Sequence, residues 1–139
     1  MDKRFWISGI VVSLAAFLLG FAIHANLLNP DYMALTSVYR SEADMQPYFH
    51  YMVIAHLLIG FAMTWIYRQG ADSGRGTLGQ GLRFGLAMAL FCTIPGYLIY
   101  LTVLQVPAGL VHKQLIFDTI GMLLLGVLVA YLNPRSARA

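Results

Sequence analysis

A chain of 139 residues, of which 59% are hydrophobic and 11% charged, does not have the composition of a soluble domain, because soluble domains carry about 25% charged residues and need a polar surface. The net charge of +3 comes from basic residues that lie beside apolar segments rather than on one polar face, which argues against a nucleic-acid partner. The single cysteine, Cys92, allows no disulfide within the chain.

Four apolar segments follow one another along the chain, each close to or above the roughly 20 residues that a helix needs to cross a bilayer. They cover residues 5–27, 48–67, 82–104 and 110–132. In lipid only helices and closed barrels satisfy their own backbone hydrogen bonds, and a barrel would show many alternating segments of about 10 residues. The sequence therefore predicts a single all-α domain over residues 1–139, an integral membrane four-helix bundle.

The first segment begins after Lys3 and Arg4, as a secretory signal peptide would. Its apolar run from Phe5 to Ile23 is longer than the roughly 7 to 15 residues usual for such peptides. For a cut after Ala25, the large Ile23 would occupy position −3, where cleavage sites favour a small residue. We therefore expect this segment to be retained as the first membrane helix.

Lysine and arginine residues divide unevenly between the two sides of the predicted bundle. Two of them, Arg40 and Lys113, fall on the side of the first and third connections. The others fall on the side of the termini and are Lys3, Arg4, Arg68, Arg75, Arg83, Arg135 and Arg138. Because positive residues accumulate on the cytoplasmic side, we predict cytoplasmic termini, a cytoplasmic loop at 68–81 and an outer loop at 28–47.

Three arginines in or beside the second connection are Arg68, Arg75 and Arg83. We expect them to contact anionic lipid head groups, at roughly 1 kcal/mol each near the surface. The same connection contains a GxGxxG pattern over residues 74–79, which binds dinucleotides when it lies between a strand and a helix. Here it follows a membrane helix, so we interpret it as a connecting loop.

Small residues at a spacing of about four mark the helix faces that pack together in lipid, because they let two backbones approach closely. The candidates are Gly9, Ser13 and Gly20 in the first segment, Gly60 in the second, Gly81 and Gly85 in the third, and Gly121 in the fourth. His24, His56 and Asp118 continue three of these patterns. We therefore expect these three side chains to point into the bundle.

Asp118 is the most informative residue, because a carboxylate within a membrane helix is costly and is usually functional. It lies about eight residues into its segment, which corresponds to a depth of roughly 12 Å below the outer surface. His56 lies at a similar depth and can pair with it, while Pro95 kinks the third helix nearby. We predict a polar intramembrane pocket formed by His24, His56, Tyr97, Tyr100 and Asp118.

Three interpretations of this pocket stay open. Asp118 and His56 can form a structural clasp, or they can act as a titratable relay for protons or ions. His24 and His56, on two helices, can alternatively be ligands of a haem. The sequence has no HxxxH or CxxC spacing and no Ser/His/Asp or Cys/His arrangement, so it predicts no metal site and no catalytic residue.

The stretch Gly81-Leu82-Arg83-Phe84-Gly85, after a helix that ends Trp65-Ile66-Tyr67-Arg68-Gln69-Gly70, resembles small bacterial four-helix inner-membrane proteins of uncharacterised function. The resemblance covers about the last two thirds of the chain. It implies a bacterial inner membrane as the location, and it carries over no catalytic residue.

The leading functional hypothesis is a non-enzymatic membrane protein that acts through helix contacts in the lipid bilayer, as an accessory subunit of a larger complex or as a homo-oligomer. The alternative is a small transporter or proton-coupled carrier that uses Asp118 and His56. A second alternative is a haem- or quinone-linked redox membrane protein. Little of the chain lies outside the predicted helices, which favours the first hypothesis.

Overall fold

The computed structural model describes residues 2–70 and 76–134. Its elements are α1 (Lys3–Leu27), a short α2 (Asn29–Met33), α3 (Glu42–Gly70), α4 (Thr77–Val103) and α5 (Ala108–Leu132). Within these two stretches there is no strand. The four long helices are each apolar and long enough to cross a membrane. The prediction of an all-helical chain with four long apolar helices is therefore confirmed.

All four long helices begin before their apolar segments, and for α3 and α4 the difference is largest. Helix α3 begins at Glu42, where the Ser41 hydroxyl accepts a hydrogen bond from the Asp44 amide at 3.3 Å, and it passes through a 3-10 turn at Gln46–Tyr48. Helix α4 begins at Thr77 instead of residue 82. Hydropathy detects the lipid-compatible part of a helix, whereas backbone hydrogen bonding continues through polar residues at its ends. The connections are correspondingly shorter than the predicted loops.

Glycines bring α4 and α5 into direct backbone contact. A Cβ atom added to Gly126 would lie 2.6 Å from the Gly85 Cα atom, and one added to Gly81 would lie 2.6 Å from the Val127 Cα atom. No side chain fits at these distances, so the two helices form a tight hairpin whose closest points have no side chain between them.

A second hairpin pairs α1 with α3 by the same means. A Cβ atom on Gly60 would overlap the backbone of Ser13, and one on Gly9 would overlap the ring of Phe61. The Ser13 hydroxyl donates a hydrogen bond to the carbonyl of Gly9 at 2.7 Å. The chain is thus two antiparallel helical hairpins, α1–α3 and α4–α5, which meet mainly through α1 and α5.

The two hairpins join around a core near the chain termini. We call the end of the bundle that carries the termini the termini end, and the opposite end, which carries α2, the cap end. The core residues are Val12, Ala16, Met63, Tyr67, Leu125, Val129 and Ala130. Beside them, the buried Asn133 amide donates to the Ser8 hydroxyl at 2.7 Å, and Ser8 shares a hydrogen bond with Thr64 at 3.3 Å. This polar cluster connects α1, α3 and the end of α5.

A smaller apolar cluster closes the cap end. Its buried members are Ile23, Leu28 and Leu110, and the hydrophobic residues packed around them are Tyr32, Leu35, Tyr39, Val106 and Phe117. An ion pair reinforces this closure, because the Lys113 ammonium donates to both oxygens of Asp31 at 2.8 and 2.9 Å. Helix α2 therefore covers the cap end of α1 and α5.

Two of the long helices contain widened π-helical turns in their cap halves. The last seven residues of α1, Phe21–Leu27, are π-helical, and so are residues Ala89–Thr93 of α4. In α4 the cause is Pro95, which has no amide hydrogen and whose ring would collide with the carbonyl four residues earlier in a regular helix. The wider turn just before Pro95 relieves that collision and turns the rest of α4.

Arg68 has a partner within the chain at the termini end. Its guanidinium donates two hydrogen bonds to the Asp2 carboxylate, at 2.8 and 2.7 Å, and lies 5.9 Å from the centre of the Phe5 ring. The Arg68 hydrogen bond, with a further one from the Phe5 amide, holds the pKa of Asp2 well below its ordinary value of 3.8. Arg83 is exposed, and Arg75 lies outside the described residues. The contact of these arginines with lipid stays a prediction.

Candidate functional site

A cavity of about 540 Å³ lies between the two hairpins in the cap half of the bundle. One wall comes from α1 and α3 and the other from α4 and α5. Its lining brings together the five residues of the predicted pocket, which are His24, His56, Tyr97, Tyr100 and Asp118. The core at the termini end and the apolar cluster at the cap end lie on either side of it along the bundle.

Three glycines contribute to the volume of the cavity, because they have no side chain that would fill it. Gly20, Gly96 and Gly121 all line the cavity. A Cβ atom on Gly96 would meet no other atom within 4 Å, and one on Gly121 would meet only the Ile23 side chain, at 3.7 Å. On Gly20, a Cβ atom would lie 3.0 Å from the His56 Nε2 atom. Gly121 was predicted as a packing residue, and the structure places it on the cavity wall beside Ile23.

Asp118 is held from two sides. Its Oδ1 atom lies 3.2 Å from His24 Nε2, and its Oδ2 atom accepts a hydrogen bond from the Tyr97 hydroxyl. The three groups come from α5, α1 and α4, and therefore from both hairpins. The Asp118 side chain is 21% exposed, so the carboxylate is partly accessible from the cavity. This arrangement places a titratable carboxylate at the seam between the two halves of the bundle.

The structure pairs Asp118 with His24, whereas the sequence had suggested His56. The His56 Nδ1 atom lies 2.7 Å from the Met52 carbonyl of its own helix, and its ring lies edge-on to Phe17 at 5.3 Å. His24 takes the place beside Asp118 because it lies in the π-helical end of α1, which faces the cavity. His56 remains on the opposite wall.

The hydrogen bonds continue from His24 to the cap. His24 Nδ1 lies 2.7 Å from the Tyr32 hydroxyl, which also accepts from the Gln114 amide at 3.0 Å. Burial raises the pKa of Tyr32 to about 12, so its hydroxyl keeps its proton at physiological pH. Sequence analysis missed Tyr32 because it lies in a connection. The signal that could have identified it is a tyrosine a few residues after the end of a predicted membrane segment, because a tyrosine has an apolar ring and a hydroxyl that usually forms a hydrogen bond when it is buried.

Aromatic and apolar side chains form most of the remaining wall. The rings are those of Phe17, Phe21, Phe49, Tyr97 and Tyr100. The Tyr100 ring is perpendicular to that of Tyr97 at 6.1 Å, and Tyr100 is 51% exposed. Pro95 is two residues from Tyr97, so the turn that it imposes on α4 helps to direct Tyr97 toward Asp118. An apolar cavity with a few converging polar groups is typical of small-molecule sites.

The chemistry of the site favours proton exchange and hydrogen bonding. In residues 2–70 and 76–134 there is no group of three or more histidine, cysteine, aspartate or glutamate side chains that could hold a metal ion. Both ring nitrogens of His24 are already engaged, one by Tyr32 and one by Asp118. Ligation of a haem by His24 would therefore require one of these two contacts to break.

The chain was compared with models of protein families, with curated proteins and with solved structures, and none of the three comparisons gives a match.

Proposed function

We propose that this chain is an integral protein of a bacterial inner membrane, with four spans and both termini in the cytoplasm. The support is the length and hydropathy of its four long helices and the excess of lysine and arginine at the termini end. With this orientation the cap end faces outward, and the cavity opens in the outer half of the bilayer.

We propose further that the cavity is the substrate site of a small transporter or proton-coupled carrier. The observation that carries this proposal is the position of Asp118, on the wall of a cavity of about 540 Å³ and in contact with His24. Ionisable residues within membrane helices are rare and mark pathways for substrates and protons. Histidines commonly serve as proton shuttles, and a histidine in contact with a carboxylate is a suitable pair for exchanging a proton.

The contacts in the cavity support a revised set of residues for the proposed carrier. The relay consists of Asp118 with His24 and Tyr97, and His56 lines the opposite side of the space that the substrate occupies. Because the relay joins both hairpins, protonation alters the attraction between them. A change of charge at Asp118 can therefore be coupled to movement of one hairpin against the other.

Replacing Asp118 with asparagine should abolish proton uptake driven by a pH gradient. The measurement uses the purified protein in vesicles that contain a pH-sensitive dye, with the external medium acidified. Asparagine keeps the shape of the side chain but cannot bind the proton, so uptake should fall to the level of empty vesicles. The Asp2→Asn variant is the matched control at the other end of the bundle. Unchanged uptake in Asp118→Asn, or uptake by the natural protein no faster than in empty vesicles, would reject the carrier.

A second candidate function, as an accessory subunit or a homo-oligomer, is favoured by the exposure of α4. In the most apolar 18-residue stretch of Thr77–Val103, only 6% of the residues are buried inside the protein. The corresponding share for Lys3–Leu27 is 33%. Phe91, at the centre of α4, is 78% exposed. The first half of α4 packs closely on α5, whereas the exposed side chains of its second half leave a face available for another helix.

If the chain acts as a subunit or a homo-oligomer, the particle purified in a mild detergent should have a mass above that of one chain, because it contains a second copy or another subunit. Phe91→Ala should weaken the association, because Phe91 is the most exposed large apolar side chain on α4. Trp6→Ala, at an exposed position of α1, is the control and should leave the mass unchanged. Native mass spectrometry or light scattering gives the mass, and a protein that is purely monomeric would contradict the assignment.

A redox function has less structural support. His24 and His56 both line the cavity, but His24 has no ring nitrogen left for an iron atom while it contacts Tyr32 and Asp118. His56 has one nitrogen on the Met52 carbonyl. A pair of haem ligands would thus have to be built by breaking the network that holds Asp118.

A further inference from the structure

Hydrogen bonds run from α5 through α2 to α1. The Gln114 amide donates to the Tyr32 oxygen at 3.0 Å, and the hydrogen of the Tyr32 hydroxyl is available to its other neighbour. That neighbour is His24 Nδ1, at 2.7 Å. In the neutral tautomer of His24 that has its proton on Nε2, Nδ1 accepts this hydrogen from Tyr32.

With His24 neutral, these hydrogen bonds leave the site negatively charged. With Nδ1 as the acceptor, the proton of a neutral His24 is on Nε2, which donates to Asp118 Oδ1 at 3.2 Å. Tyr97 donates to the other oxygen. In this arrangement Asp118 accepts hydrogen bonds on both oxygens, as an ionised carboxylate can. The group formed by His24, Asp118 and Tyr97 carries a net charge of about −1 in this state.

A charge of this sign in the cavity calls for a cation. Among the described residues that line the cavity there is no lysine or arginine. The nearby Lys113 is paired with Asp31 on the cap side. A carboxylate in a largely apolar space is costly without a partner of opposite charge.

We propose that the ligand of the cavity is a small organic cation, a protonated amine with an apolar body. The ammonium group pairs with Asp118, and the aromatic rings of Phe17, Phe21 and Phe49 surround the rest. Aromatic faces attract cations as well as apolar groups, so this wall suits both parts of such a molecule. The inference rests on the proposed function and names the class of its substrate.

Protonation of His24 reverses the hydrogen-bond chain and expels the cation. A proton on Nδ1 makes His24 a donor to Tyr32, and Tyr32 can then donate to Gln114 if the Gln114 amide turns its oxygen inward. The charge of His24 now balances that of Asp118. The other titratable groups on the surrounding helices are His56 on α3, Cys92, Tyr97 and Tyr100 on α4, and, at the cap end, Tyr39, Asp31 and Lys113. A proton and an amine therefore compete for the same charge.

Binding of 2-phenylethylamine to the purified full-length protein in detergent tests this inference by calorimetry. The amine should bind at about pH 8, and its affinity should fall by about tenfold or more at about pH 5, where histidines are protonated. The probes 2-phenylethanol and phenylacetate, which are neutral and negatively charged, should bind at least about tenfold more weakly. Because 2-phenylethanol is uncharged, it enters detergent micelles more readily than the protonated amine, so its signal gives an upper limit for partition into the micelle.

Variants separate this inference from the carrier itself. Asp118→Asn should remove both amine binding and its pH dependence, Asp118→Glu should retain them, and Asp2→Asn should behave as the natural protein. If 2-phenylethylamine does not bind, or if the alcohol or the carboxylate binds as tightly, the ligand class is wrong. The carrier then still stands if Asp118→Asn abolishes proton uptake. Amine binding with unchanged proton uptake in Asp118→Asn would instead leave a binding site and reject the carrier.

Discussion

Replacing Gly126 with alanine should destabilise the bundle by about 1–3 kcal/mol, the usual cost of overpacking. The added methyl group would lie 2.6 Å from both the Cα and the amide nitrogen of Gly85. These are backbone atoms of α4, so no rotation of a side chain relieves the contact. The two helices have to separate, and the close packing on both sides of Gly126 is lost with them.

Thermal unfolding of the detergent-purified protein measures this loss as a lower midpoint. Gly96→Ala is the matched control, because a Cβ atom there meets nothing within 4 Å and alanine favours helix more than glycine does. Gly96→Ala should therefore unfold at the same temperature as the natural protein or slightly above it. Equal midpoints for the Gly126 and Gly96 variants would show that α4 and α5 are not in backbone contact.

His24→Ala should also destabilise the protein, by about 1–3 kcal/mol, because it leaves a partly buried carboxylate without one of its two donors. Asp118 would keep Tyr97 alone, and the cavity wall would lose its connection through Tyr32 to the cap. Adding Asp118→Asn to His24→Ala should restore much of the stability, since the unpaired charge disappears with the carboxylate.

His56→Ala is the control for this pair of variants. It removes the same imidazole ring, but from the opposite wall of the cavity. There the imidazole contacts Phe17 and the Met52 carbonyl of its own helix. Its effect should be smaller than that of His24→Ala, and Asp118→Asn should not rescue it. A larger effect at His56, or rescue of it by Asp118→Asn, would mean that His56 is the functional partner of the carboxylate.

The long helices were predictable because a membrane segment has only to be apolar and long enough. Hydropathy reads both properties directly, so the segments at 5–27 and 110–132 agree closely with Lys3–Leu27 and Ala108–Leu132. Hydropathy does not detect the polar ends of a helix, which explains why the predicted start of α4 is too late in the sequence. The beginning of α4 at Thr77 depends on backbone hydrogen bonds that composition does not record.

The partner of Asp118 could not be read from spacing. His24 and His56 both continue patterns of small residues, so a regular helical period places either one inside the bundle. The π-helical end of α1 changes the direction of its side chains after Gly20. In α4 a similar change could be predicted from Pro95, but no residue in Phe21–Leu27 gives a comparable signal. Tyr32 was equally hidden, because its place depends on how α2 folds over the cap.

The packing pattern in α5 was incomplete for a different reason. The sequence suggested one face of α5, with Asp118 and Gly121. This face, which also carries Gln114, borders α1, α2 and the cavity. The contact with α4 uses another face, at Met122 and Gly126. A helix between two neighbours needs two packing faces, and a single stripe of small residues describes only one of them.

The hydrogen-bonded cluster of Ser8, Thr64 and Asn133 has a consequence for the working cycle of a carrier. It joins the two hairpins at the termini end, while the cavity separates them in the cap half. In the proposed carrier, alternating access requires one half to rock against the other around the substrate, so a state open at the termini end forms only after these hydrogen bonds break. In that cycle, release of substrate at the termini end is the step that breaks buried hydrogen bonds, whereas binding from the cap end leaves them intact.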